Sequence, residues 1–197
     1  MMGNLGLCGA HRTGKTTLAI ALSSQLNIPF VRTTTSQVFA QLGLDPAETM
    51  DFKTRLFVQN HVLDAAGQVW QGAASPFISD RTPIDMIAYT LGDIQGKTEV
   101  DFDLLSQYID RCFASTNQFF QSLAIIQPGI PLVYEEGKAA LNAAYIEHIN
   151  ILVMGLCGDR RLQASVFCNP REAIALDERV RNVTGEASCG ASRRNLL

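Results

Sequence analysis

Gly9-Ala10-His11-Arg12-Thr13-Gly14-Lys15-Thr16 carries a glycine, four further residues, then glycine, lysine and threonine. It follows an apolar run of strand type, Leu5-Gly6-Leu7-Cys8, and leads into Thr17-Leu18-Ala19-Ile20-Ala21-Leu22, of helix type. Strand, glycine-rich loop and helix, in that order, form the context in which this spacing makes a phosphate-binding P-loop. The glycines let backbone N–H groups turn inward as an anion nest. The helix N-terminus adds its orphan N–H groups and positive dipole end. Gly9, Arg12, Thr13, Gly14, Lys15, Thr16 and Thr17 are therefore the expected nucleotide-binding residues. Lys15 supplies a mobile charge for the β- and γ-phosphates, and Thr16 a hydroxyl for Mg²⁺.

The chain around this loop has 197 residues, 47% hydrophobic and 18% charged. That suffices for one domain with a substantial core and excludes a disordered chain. We expect a single domain over residues 1–185 and a flexible tail over 186–197. The net charge of −3 gives no support to a mainly electrostatic grip on nucleic acid. No apolar run reaches the length of a membrane span, so no membrane partner is expected. The five cysteines form no C-x-x-C pair and stand far from the histidines in any metal-type spacing. Reduced, buried thiols and a cytoplasmic location are expected.

Strand-like and helix-like segments alternate along the chain. Strands are expected at Leu5–Cys8, Ile28–Val31, Ala73–Ser79, Leu123–Ile126 and Ala164–Cys168. Helices are expected at Ser36–Leu42, Phe52–Gln71, Thr82–Gly92, Asp101–Gln121, Ala139–Cys157 and Arg171–Val183. The long helix from Phe52 presents Leu56, Leu63, Ala66 and Trp70 on one face. The helix from Asp101 is expected to bury Phe102, Leu105, Ile109, Cys112, Thr116 and Phe119. The pattern predicts an α/β chain of the P-loop NTPase type, with a mostly parallel five-stranded sheet and helices on both faces. Ligands of such sheets sit beyond the C-terminal strand ends. The P-loop, Arg32 and Asp80-Arg81 all follow strands and converge at that edge.

Asp80 has two jobs open to it there: holding Mg²⁺, or taking a proton from an acceptor hydroxyl. Arg81 suits an anionic substrate or the charge of a transferring phosphoryl group. Lys15, Asp80 and Arg81 are the expected catalytic residues, with Thr16 and Asp80 as the metal holders. Gln59 shares the apolar stripe of its helix. It is either a core amide bonded to backbone or a side chain reaching a substrate pocket.

The run from Phe77 through Asp80-Arg81-Thr82-Pro83-Ile84-Asp85 to Ala88-Tyr89 resembles the strand–acid-Arg–helix element of small P-loop nucleoside and nucleotide kinases. Thymidylate kinases carry Asp-Arg there, and deoxynucleoside kinases carry Glu-Arg. The nicotinamide riboside kinase-like group has a similar Asp-Arg-Thr/Ser-x-x-Asp run. The resemblance implies ATP as donor and Mg²⁺ as cofactor. It implies transfer of the γ-phosphate to a hydroxyl of a nucleoside, nucleotide or related acceptor. Gln59 resembles a base-reading glutamine, and Arg32 an arginine that follows the second strand. Arg55, on the same helix as Gln59, and Lys138 complete the substrate-side candidates.

Family lids bring arginines over the phosphates after the fourth strand. Between Arg111 and Arg160 this chain offers only Lys138. Either Lys138 stands in, or Arg160 and Arg161 reach back, or the lid is reduced. An acceptor hydroxyl without its own phosphate would need fewer cations. Phage relatives include kinases of a hydroxymethylated pyrimidine within DNA, so DNA is an alternative substrate. The arginines after Asp159, Arg179 among them, read as a solvated surface or as a backbone-binding patch. The alternative of another class is a P-loop ATPase or switch. A motor of the AAA type would show two adjacent acids ending the metal strand, whereas Asp80 is followed by arginine.

Overall fold

Leu5–Cys8 forms β1 and is buried along its whole length. Alternate side chains enter opposite cores, Leu5 and Leu7 on one face and Cys8 on the other, as a strand covered on both sides requires. The protein is described here from a computed structural model over residues 3–33, 35–45, 50–133 and 142–189.

β1 is the middle strand of a sheet in which every pairing is parallel. Its neighbours are β3 (Ile78–Ser79) and β4 (Ser122–Ile126), with β2 (Phe30–Val31) and β5 (Ser165–Asn169) at the edges. The order is β2-β3-β1-β4-β5. Leu5 lies opposite both Ile78 and Ser122, and Ser122 opposite Ser165.

One face of the sheet is covered by α1 (Lys15–Leu26) and α7 (Leu176–Cys189). Leu18, Leu22, Val180 and Val183 form a core there with Leu5, Leu7 and Phe167. The other face is covered by α3 (Phe52–Gly72), α4 (Pro83–Gly92), α5 (Phe102–Phe119) and α6 (Ala143–Cys157). Trp70, Phe77 and Phe120 meet there, with ring centroids 5.1 Å apart for Trp70–Phe120 and 5.8 Å for Phe77–Phe120. The short α2 (Thr35–Gln41) lies beside α3. Side-chain caps fix the starts of four helices: Asp51 on α3, Thr82 on α4, Asp101 on α5 and Asn142 on α6. Each satisfies N–H groups that the first turn leaves orphaned.

Three departures from the sequence reading have local causes. β2 and β3 form ladders of only two residues each, because Pro29 and Pro76 lack an N–H to donate. Phe102, expected on the buried face of α5, is 70% exposed. It is the first residue of its helix, and Tyr108 and Phe113 fill the core in its place. The last helix starts at Leu176 rather than Arg171, after a turn closed by Ala173 N–H on Pro170 O (3.3 Å). It runs through Gly185 to Cys189, so part of the expected tail is helical. Among the described residues no helix is long and apolar enough to cross a membrane.

Candidate active site

The loop from Gly9 to Thr16 leaves the C-terminal end of the middle strand and closes into α1. Gly9 sits at φ +145°, and a Cβ there would stand 2.5 Å from the Ile126 carbonyl oxygen. Gly14 is left-handed at φ +74°. It begins α1 without any side-chain cap, so the N–H groups of the first turn remain for a ligand. The Lys15 ammonium folds back over the loop and donates to Gly9 O (2.6 Å) and Ala10 O (2.7 Å). Thr13 Oγ1 donates to Ala10 O (2.9 Å) and is buried.

Two elements hold the loop from outside. From α4, Asp85 accepts the Gly9 N–H at 2.7 Å on one carboxylate oxygen. Its other oxygen accepts the Thr82 N–H (2.8 Å) and Thr82 hydroxyl (2.9 Å). Tyr89, one turn on, accepts the His11 N–H at 2.7 Å. From α7, Arg179 Nη2 donates to Thr13 O at 2.6 Å. Arg179 is 4% exposed, so it is no part of a solvated arginine surface. Beneath the loop the Cys8 and Cys157 sulfurs lie 3.9 Å apart, both buried.

At the end of β3 the Thr16 hydroxyl donates to the Asp80 carboxylate. Arg81 Nη1 donates to Thr35 Oγ1 at 3.3 Å. The Ser79 hydroxyl steadies the turn between them by donating to Arg81 O (2.8 Å).

These groups line one cavity of about 440 Å³. It gathers Arg12, Thr13, Gly14, Lys15, Thr16, Thr17, Arg32, Asp80 and Arg81. Its remaining wall is His11, Thr33 and the segment 130–133 after β4. Gly9 stands behind the lining and shapes the loop. Arg55 lies outside the cavity, where its Nε pairs with Asp93 at 3.1 Å. Gln59 is half-buried on α3 and does not line it. Lys138 lies outside the described residues.

Charge inside the site is balanced through the loop. Burial holds the Lys15 amine below its usual pKa, and the Asp85 carboxylate is the largest influence opposing that. Burial pushes Asp85 above the usual carboxylate range, opposed by Lys15 and by the N–H groups of Gly9 and Thr82. In the sequence Asp85 stands three residues after Thr82, inside the run that resembles the kinase element. That spacing marks a capping box, and both halves of the box form. Nothing in the spacing announces that the free oxygen reaches Gly9. Arg179 had no signal beyond its place among many arginines.

A middle parallel strand feeding a P-loop, with an acid and arginine at the next strand end, defines a nucleotide-binding α/β protein of the P-loop NTPase fold. The chain belongs to the AAA domain family, whose match spans residues 5–119, from β1 through α5. No curated protein matches it in sequence. Among solved structures it is similar to deoxyadenosine kinase from M. mycoides bound to the products dCMP and dCDP. That likeness has 16% identity, TM-score 0.65, and covers 95% of this chain and 100% of the other. It is similar also to thymidylate kinase from Candida albicans, at 14% identity and TM-score 0.61, covering 96% and 92%. NadR in complex with NAD and AMP-PNP matches at 15% identity and TM-score 0.62, over 97% of this chain and 50% of NadR. The chain thus spans about half of NadR. At these identities the likeness establishes the shared fold, which is the fold of the kinase group that the Asp80-Arg81 run resembles.

Proposed function

We propose that this chain is an ATP-dependent phosphotransferase that passes the γ-phosphate to a nucleoside, a nucleotide or a related hydroxyl-bearing acceptor. The observation that carries the reading is the convergence in one cavity of the P-loop, the Thr16–Asp80 contact and two arginines, Arg32 and Arg81. A motor or switch needs the first two features. The arginines on the far side of Asp80 are what an acceptor site adds.

Lys15 would exchange the Gly9 and Ala10 carbonyls for phosphate oxygens, a stronger charge-assisted partner. The neighbouring Thr16 hydroxyl and Asp80 carboxylate are hard oxygen donors and fit Mg²⁺, which takes few protein ligands and completes its shell with water and phosphate. When bound, the ion would neutralise charge developing on the transferring group. The contact with Thr16 supports the metal-side role of Asp80 over the role of proton acceptor. Among the described residues the Arg81 guanidinium is tied only to a neutral hydroxyl, and it would hold an acceptor anion or the transferring phosphoryl group. Among acceptors this supports a nucleotide over an uncharged nucleoside.

The test is a screen of labelled γ-phosphate transfer from Mg-ATP. The acceptors are nucleosides, nucleoside monophosphates, nicotinamide riboside, and DNA with and without hydroxymethyluracil. Label on a monophosphate, lost with Asp80→Asn, is the expected result. Label on DNA would move the acceptor to the polymer. Label released only as free phosphate, whatever the acceptor, would replace the proposal with an ATPase or switch.

A further inference from the structure

The guanidinium of Arg179 is enclosed behind the P-loop and makes one bond among the described residues, from Nη2 to Thr13 O. Nη1 lies 2.8 Å from the point a Gly14 Cβ would occupy, hard against the residue that begins α1. Nε is buried and has no partner. Among the described residues no carboxylate pairs with this cation, and its burial disfavours the charge. A buried, always-charged group with unused donors and no counter-ion is costly to keep. A neutral side chain of similar length would fill the same space beside Gly14 without that penalty. The arrangement makes physical sense once an anion stands on the other face of Gly14, where Gly14 lines the 440 Å³ cavity.

We propose that Arg179 is a positioning residue for bound polyphosphate, acting through the Thr13–Gly14 peptide from behind the loop rather than by touching the ligand. Its bond to Thr13 O orients the following N–H into the nest. Its charge adds to the potential that the helix N-terminus presents to phosphate. This places a fixed cation on the donor side of a site whose wall after β4, residues 130–133, is apolar. It also gives a reason for the first turn of the last helix, far from the P-loop in sequence, to reach that loop. The inference rests on the reading of the cavity as a nucleotide site and not on phosphoryl transfer, so it survives or fails independently of the acceptor.

The test compares Arg179→Gln with Arg179→Lys. Glutamine keeps a donor for Thr13 O but no charge, and lysine keeps the charge. Affinities for AMP, ADP and ATP are measured by titration with Mg²⁺, alongside thermal melts of each variant. The expected result is a loss for Arg179→Gln that grows with phosphate number, reaching about tenfold for ATP. Arg179→Lys should recover most of it. Equal losses for all three nucleotides, or a lysine variant no better than glutamine, would show a role in packing alone and overturn the proposal. Should the glutamine variant fold poorly, the lysine variant and wild type are compared across alkaline pH, where a buried lysine loses its proton and an arginine does not. ATP affinity of Arg179→Lys should then fall at lower pH than that of wild type while AMP affinity changes alike in both, and superimposable ATP profiles overturn the proposal.

Discussion

The Lys15 ammonium bonds to the Gly9 and Ala10 carbonyls while burial pulls its pKa below the ordinary lysine value of 10.5. The folded protein therefore releases this proton at lower pH than a free lysine would. A neutral amine has no attraction for phosphate. The affinity of the wild type for ATP should accordingly fall as pH rises, with a midpoint below 10.5, and Lys15→Arg should lack that limb. Nucleotide titration between neutral and alkaline pH checks this. Asp80 gives a second expectation at the same scale. Asp80→Asn keeps a side chain of the same shape beside Thr16 but weakens metal holding. Turnover should fall about 10²–10³-fold while ATP affinity changes less than about threefold. Steady-state kinetics and direct binding, run together, decide it. The residues that make these expectations were legible because a P-loop is a local pattern: eight consecutive positions hold the glycines, the lysine and the threonine. Asp85 and Arg179 were not legible as P-loop partners. Their contacts join positions 76 and 166 residues apart, and no local spacing encodes such a meeting.

α4 links the acid end of the sheet to the loop, because one capping box serves both. Thr82 caps the helix through its hydroxyl, and the same hydroxyl donates to the Asp85 oxygen that shares a carboxylate with the Gly9 strap. Thr82 is fully buried. Thr82→Val keeps the volume and removes the hydroxyl, so it should destabilise the fold by about 1–2 kcal/mol. It should also weaken ATP binding, because Asp85 loses a donor that fixes its position under Gly9. Denaturant unfolding and nucleotide titration of the one variant read the two effects separately. At this scale the sequence reading was sound wherever a periodic apolar face or a cap marked an element. It placed α4 between its cap and Gly92, and it gave all five strands in order. It erred where an element's end depends on neighbours. Phe102 has the spacing of a buried residue but is the first residue of α5 and stands exposed. The prolines at 29 and 76 shortened two ladders that apolar content alone would have extended.

The two faces of the sheet are closed unequally in the whole molecule. Among the described residues four helices cover one side, whereas α1 and α7 alone cover the other. A chain ending at Pro170 would lose Val180 and Val183 and bare Leu18, Leu22 and Phe167. Each large apolar side chain returned to water forfeits about 1.5–3 kcal/mol, against a total stability of about 5–15 kcal/mol for a domain. The shortened chain should show no cooperative thermal transition and no ATP binding, as calorimetry and titration would report. α7 is thus part of the nucleotide half of the molecule, although the family match ends at residue 119.

The ladders of two residues at β2 and β3 stand beside five-residue ladders at β4 and β5. Backbone amides at the first edge have few ladder bonds to break before they open, and those at the second have many. Hydrogen–deuterium exchange should therefore divide the sheet, with β4 and β5 exchanging far more slowly than β2 and β3. The divide runs through the site itself. Arg32 and Thr33 follow the fast-opening edge, while the P-loop springs from the slow centre. Under the proposed phosphotransfer, nucleotide would then bind against the slowly exchanging half and the acceptor against the edge that opens more readily.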